Sequence, residues 1–222
     1  MSSTPTVPST LQPFTQQVHD LIECGRDFHR RGWSLGTSSN YSAVVQRDPL
    51  TLVMTGSGFD KGRLEPAQFL LVDEAARALH PGPATPRPSA EALLHTALAK
   101  HGAGAVLHTH SVFATVLSEG FLQQGHLRLV GYEMLKGLTG ISTHEVDARI
   151  EIFANTQDIA SLATVVEAQL ASATNPLRHG FLMAGHGLYT WGEDIAAARR
   201  QIEVLEFLFE VVARKRLIFG EF

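Results

Sequence analysis

The stretch AVLHTHSVFATV, residues 105–116, sets two histidines one residue apart, His108 and His110, inside an apolar run. On a strand, residues two apart share a face with Cα atoms about 6.5–7 Å apart. Two imidazoles so placed can converge on one point, as metal ligands do. The same spacing also fits two core histidines whose nitrogens bond backbone groups. A catalytic zinc site commonly takes three protein ligands and leaves a fourth position for water or substrate, so the pair needs a third donor. Among the chain's 11 histidines, His186 stands out because it follows the apolar segment GFLMAG and lies between Gly185 and Gly187. Such small neighbours permit close approach of backbone and ligand. His179, in RHG, is the competing donor, and spacing alone does not bring either to the pair.

Two further stretches, GTSSNYS (residues 36–42) and TGSGFDKG (residues 55–62), combine glycine with hydroxyl or amide side chains. This composition can surround an anion with backbone N–H groups and short donors, and Lys61 adds a positive charge. Neither stretch matches the Walker or dinucleotide glycine patterns, and each also reads as an ordinary turn. Joined to a metal site, they suggest a phosphorylated substrate. Proton transfer needs a carboxylate. Glu91, in PSAEALL, and Glu133, in GYEMLKG, compete for that role, with Tyr132, Lys136 and His144 close to the second.

The elements that must position these groups follow from periodicity. Phe14, Val18, Leu21, Ile22, Gly25 and Phe28 mark a helix that ends near Gly32. SAVVQ and TLVM read as a hairpin around RDP, and FLLV as another strand. Ser89 can cap the helix AEALLHTALAKHG, with Glu91 in its first turn, before the buried strand AVLHTH. SVFATVLS reads as a helix, LRLV and ARIEIF as strands, TQDIASLATVVEAQLA as a helix, and GFLMAG as a buried strand running into His186. A last helix spans about residues 193–214, with Ile195, Ala198, Ile202, Leu205, Phe209 and Val212 forming its apolar stripe. Strands interspersed with helices suggest one layered α/β domain over residues 13–222, after a flexible Ser/Thr/Pro-rich tail over residues 1–12.

Composition narrows the partners. A net charge of −4 without a basic run argues against nucleic acid or an acidic membrane surface and leaves a small molecule as the partner. The lone Cys24 rules out an internal disulfide framework. No apolar run reaches the roughly 18–20 residues of a membrane span, and the start lacks the parts of a signal peptide, so the expected compartment is the cytoplasm.

Taken together, PSAE, GAGAVLHTHS, GYEMLKG and GHGLYTWG resemble the class II aldolase/adducin family over most of the chain. Within it, they are most similar to the branch that dehydrates 5-methylthioribulose 1-phosphate in methionine salvage. The resemblance implies a three-layer α/β/α sandwich with a mainly antiparallel central sheet, and a homotetramer with sites near subunit interfaces. It implies one zinc ion per subunit held by His108, His110 and His186. It also implies a phosphate cradle of Asn40, Thr55, Gly56, Ser57, Ser89 and, less directly, Lys61. Aldolase relatives often carry Gly-Asn at the first of these places, where this chain has Ser39 before Asn40. The acid/base glutamate maps to Glu91 by the aldolase pattern and to Glu133 by the dehydratase pattern. A sugar-phosphate aldolase or 4-epimerase shares the metal and is the alternative activity, and a non-catalytic adducin-like interaction module is the alternative of another class.

Overall fold

A computed structural model of the protein describes residues 7–220. The β-rich segments NYSAVVQR and LTLVMT pair antiparallel as β1 (Asn40–Arg47) and β2 (Leu50–Thr55), and β3 (Phe69–Asp73) adds to the outer side of β2. The inner edge of β1 takes β4 (Ala105–Thr109), with Asn40 directly opposite His108. The sheet continues through β8 (Gly187–Gly192), β7 (Phe181–Met183), β6 (Ala148–Phe153) and β5 (His126–Leu129). Every neighbouring pair is antiparallel except β6 with β7, so the mainly antiparallel sheet is as expected.

Helices cover both faces. Side chains of α1 (Thr15–Arg30), α3 (Val112–Gly120) and α5 (Ile195–Phe219) share one core cluster with Tyr41, Leu107 and Leu188. Those of α2 (Ala92–Lys100) and α4 (Ile159–Leu170) share another with Val106, Phe181 and Tyr189. Alternation along a strand divides the two layers. Leu107 and Thr109 therefore face α5, whereas Val106 and His108 face α2.

Three readings of the sequence change. GLYTWG, to which periodicity assigns no element, is the strand β8, because it forms a hairpin with β7 and places Tyr189 opposite both Phe181 and His108. Gly187 permits this: a Cβ there would lie 2.0 Å from the Thr109 carbonyl oxygen. The last helix runs five residues further than its apolar stripe indicates, to Phe219. Of the expected tail, residues 1–6 lie outside the described residues, while Ser9–Phe14 form a 3-10 turn and Leu11 is buried in the α1 layer. Packing of that one leucine brings order to a stretch whose composition suggested none.

Glu206 of α5 lies directly behind the His-x-His strand, 2% exposed, and accepts a hydrogen bond from Thr109 Oγ1 at 2.9 Å. Burial pushes its carboxyl up to about 7, against the opposing effect of the Ser111 and Thr109 hydroxyls. The native state thus holds a proton that the unfolded chain releases near pH 4.5, so this group's contribution to stability falls as pH rises to about 7. Between pH 5 and pH 8, Glu206→Gln is therefore expected to gain on the order of 2–3 kcal/mol relative to the parent chain. Urea unfolding of both proteins at each pH measures the difference, in which the titration of other groups cancels.

Candidate metal centre and active site

Three elements bring the imidazoles together. His108 is the penultimate residue of β4; His110 lies just beyond the strand, its backbone N–H bonded to the Trp33 carbonyl at 2.7 Å. His186 occupies the β7–β8 turn, which Gly185 makes with a φ of 64° and which His186 N–H closes on the Met183 carbonyl at 3.1 Å. One ring nitrogen of each of His108, His110 and His186 lies within 4.8 Å of the other two. His179 is not part of this group; it is buried beside Thr190, whose hydroxyl donates to its carbonyl at 2.7 Å.

The protons on these rings are set by their outer nitrogens. His108 Nδ1–H donates to the Leu188 carbonyl at 2.9 Å, so its Nε2 lone pair points inward. His186 Nδ1–H donates to Asn155 Oδ1 at 3.3 Å, with the same consequence. Burial, reinforced by His110, holds His108 well below the ordinary imidazole value, and burial with His186 pushes His110 down to about 4. Neutral imidazoles with converging lone pairs repel unless a cation lies between them. The Nε2–Nε2 separations, 2.7 Å for His108–His110 and 3.4 Å for His108–His186, bracket the roughly 3.3 Å that bonds of about 2.0 Å give at a tetrahedral metal. The triad therefore fits a metal ion with an open position.

Glu91 closes the open side. It sits immediately before α2, with Oε1 3.1 Å from His186 Nε2 and Oε2 3.6 Å from His108 Nε2. Burial opposes its ionisation, but the adjacent His186 and His108 rings and the Asn40 amide outweigh that, so its pKa is lowered. The expected cap is displaced by two residues. Ser89 Oγ accepts from the Glu91 backbone N–H at 3.2 Å, and the helix begins only at Ala92.

A cavity of about 170 Å³ opens over the triad, lined by Ser39, Asn40, Gly56, Ser57, Ser89 and Glu91 among others. That is below the roughly 300–1,000 Å³ of pockets that enclose a drug-sized ligand, so one chain makes a polar floor and not a closed chamber. Ser39 has a φ of 71°, the left-handed region that favours glycine, which is the physical reason a glycine suits this place. A larger groove of about 530 Å³, lined by Asp20, Arg47 and Asp194, lies at the opposite end of β1.

Not every expected cradle residue faces the cavity. Thr55 is fully buried, its Oγ1 accepting from the Tyr41 backbone N–H at 3.1 Å. The Gly56 and Ser57 amides are bonded to the Gln68 and Arg87 carbonyls, leaving the Ser57 hydroxyl as a donor there. Lys61, 1% exposed, donates to the Phe59 carbonyl at 2.8 Å and the Thr37 carbonyl at 3.5 Å and is not among the lining residues. It links the two loops from behind. Glu133 is also outside the cavity: its side chain is 70% exposed, 2.6 Å from Lys136 and 3.4 Å from His144. It follows β5, at the sheet edge and three strands from β8, or about 14 Å at ~4.8 Å per strand.

Residues 19–213 match the family described as Class II Aldolase and Adducin N-terminal domain. The chain belongs to the class II aldolase and adducin family. Members of this family are typically metal-dependent, in keeping with the triad. The methylthioribulose-1-phosphate dehydratase of Sorangium cellulosum (strain So ce56) is 44% identical over 199 residues, 89% of this chain and 91% of that protein. The protein of the same name from Pseudomonas syringae pv. syringae (strain B728a) is 47% identical over 201 residues, 90% of this chain and 95% of that protein. Among solved structures, an L-fuculose 1-phosphate aldolase superposes with a TM-score of 0.73 at 18% identity, over 99% of this chain and 92% of that one. This last likeness establishes the class II aldolase fold. No helix among the described residues is long and apolar enough to cross a membrane.

Sequence reading passed over His95, Tyr189 and Asn155. His95 lies one helical turn beyond Glu91, which was a usable signal because such residues share a helix face. Nothing in the sequence links Tyr189 or Asn155 to the histidines they contact. His108→Ala and His186→Ala are each expected to abolish binding of a divalent metal, and Asn155→Ala to weaken it about tenfold by freeing the His186 ring. Chelator competition on the purified proteins measures both effects.

Proposed function

We propose that this protein is a zinc-dependent hydro-lyase that converts 5-methylthioribulose 1-phosphate to 2,3-diketo-5-methylthiopentyl 1-phosphate, a step of methionine salvage. The observation that carries the reading is near-full-length identity of 44–47% to dehydratases of that name, joined to an open three-histidine site beside a carboxylate. Three imidazoles suit zinc, one per subunit. When bound, the metal supplies Lewis-acid stabilisation of the negative charge that develops on the C2 and C3 oxygens as the C3 proton leaves.

The chain's own residues do the rest. Ser89 Oγ already accepts from Asn40 and from the Glu91 N–H, so its own hydrogen is free for a phosphate oxygen, with the Ser57 hydroxyl as a second donor. Thr55 acts by pinning Tyr41, and Lys61 by holding the two cradle loops together and placing a positive charge beneath them. Removal of the C3 proton and protonation of the departing C4 hydroxyl need a carboxyl group. The resulting enol then tautomerises to the diketone, and no carbon–carbon bond breaks. Within one chain Glu91 lies in the cavity. Glu133 enters it from a neighbouring subunit, and a homotetramer with sites at its interfaces supplies both that residue and the missing wall.

Incubation of the zinc-loaded protein with 5-methylthioribulose 1-phosphate is expected to give loss of one water with the carbon chain intact, read by mass spectrometry. Cleavage to dihydroxyacetone phosphate and a methylthio aldehyde would overturn the reading in favour of an aldolase. Glu133→Gln is expected to lower kcat by about 10²-fold with metal content unchanged. If that variant keeps its full rate, the proton belongs to Glu91, and Glu91→Gln shows the loss instead.

A further inference from the structure

A buried polar chain runs from the middle of β1 to the metal centre. Ser42 Oγ lies 2.8 Å from His95 Nδ1, His95 Nε2 is hydrogen-bonded to Asn40 Oδ1, and Asn40 Nδ2 donates to Glu91 Oε2 at 2.7 Å and to Ser89 Oγ at 3.3 Å. Ser42, Asn40 and His95 are all buried, His95 completely. Ser42 and Asn40 lie on the α2 face of β1 because they are two apart, and Glu91 and His95 on one side of the α2 segment because they are four apart. The chain thus bridges helix and sheet.

Its direction is determined by proton count. Burial pushes the His95 imidazole down to about 4, so the neutral ring has one N–H to place. An asparagine amide has a donor end and an acceptor end. Glu91 Oε2, 2.7 Å away, and Ser89 Oγ, which also accepts from the Glu91 N–H, both call for the nitrogen of Asn40. Its oxygen is then left facing His95, which must present Nε2–H, and Nδ1 must accept from the Ser42 hydroxyl. With the opposite tautomer, two acceptors would meet at Asn40 Oδ1 and the amide would gain by turning over, aiming its oxygen at the Glu91 carboxylate.

We propose that His95 is a positioning residue that, through its Nε2–H tautomer, holds Asn40 with its amide nitrogen toward Glu91 and so fixes the carboxylate across the open side of the histidine triad. It touches neither metal nor substrate. Its effect on turnover rests on the proposed dehydratase reading; its effect on the tautomer and on metal affinity does not.

The experiment compares two variants of similar size. Glutamine can put an N–H near the position of Nε2, whereas asparagine reaches only the position of Nδ1. His95→Gln is expected to keep kcat and zinc affinity within about threefold of the parent, and His95→Asn to lose about tenfold or more in each at equal thermal stability. The KM for substrate should move less than kcat. A purely structural role predicts instead that both variants lose activity in step with their melting temperatures, and that result overturns the proposal. Ring-nitrogen NMR of the metal-free parent gives a separate reading: a protonated Nε2 and bare Nδ1 at His95 are expected, and the reverse tautomer overturns the proposal. If the parent dehydrates nothing, the functional reading falls, while the tautomer and the zinc affinities of the two variants still decide the role of His95.

Discussion

The hydrogen bond from His108 Nδ1 to the Leu188 carbonyl is the constraint on which the site depends. It crosses from β4 to β8 at the centre of the sheet, where His108 is fully buried and its ring stacks on Tyr189 with centroids 3.9 Å apart. A buried imidazole with one proton has no freedom left once that proton is committed. The lone pair on Nε2 must point at His110 and His186, and the strand ends and the β7–β8 turn are placed around that direction. The close contact of Gly187 with the Thr109 carbonyl is what permits the two strands to approach there.

The two faces of β4 serve this site differently. On the α2 side, a run of neutral hydrogen bonds from Ser42 through His95 and Asn40 ends on the ionised Glu91. On the α5 side, Thr109 rests on the buried Glu206 carboxyl. Polar side chains are thus buried on both faces of this strand, and Ser42, His95, Asn40, Glu91, Thr109 and Glu206 each make at least one hydrogen bond. Such networks rigidify a site when fully satisfied and are costly when a member is lost. His108 sits on the sheet itself, a stiffer support than a loop, and Glu91 at the start of α2, while His110 and His186 adjoin strand ends. The loops carry the cradle instead, and Lys61 joins them from behind.

Much of this was legible in the residues themselves. The alternation of AVLHTHS placed His108 and His110 on one side of a strand, and the glycines around His186 marked a turn. Family motifs covering most of the chain indicated the sheet type. The misreadings share one origin. GLYTWG carries the strand formers Tyr189, Thr190 and Trp191 between two glycines, and it becomes β8 because β4 and β7 bond to both its edges. Thr55 and Lys61 have the chemistry of phosphate ligands, yet Tyr41 and two carbonyl groups claim their donors and acceptors first. Composition reports what a side chain can bind; burial and competition decide what it does bind.

By itself, then, the sequence determined the donor types, the local periodicities, the modest negative charge and the family, since each is a property of residues near one another in the chain or of motifs read in order. Only the tertiary structure decided that the His186 ring, which the motifs named, meets the other two while His179 lies apart, that Glu91 lies in the cavity while Glu133 stands at the sheet edge, and that His95 belongs to the site. These are contacts between segments as many as 95 residues apart, as between Glu91 and His186. They depend on the order β1-β4-β8 across the sheet and on helix α2 packed over it, and hydrogen bonding between strands sets that order without leaving a trace in residue spacing.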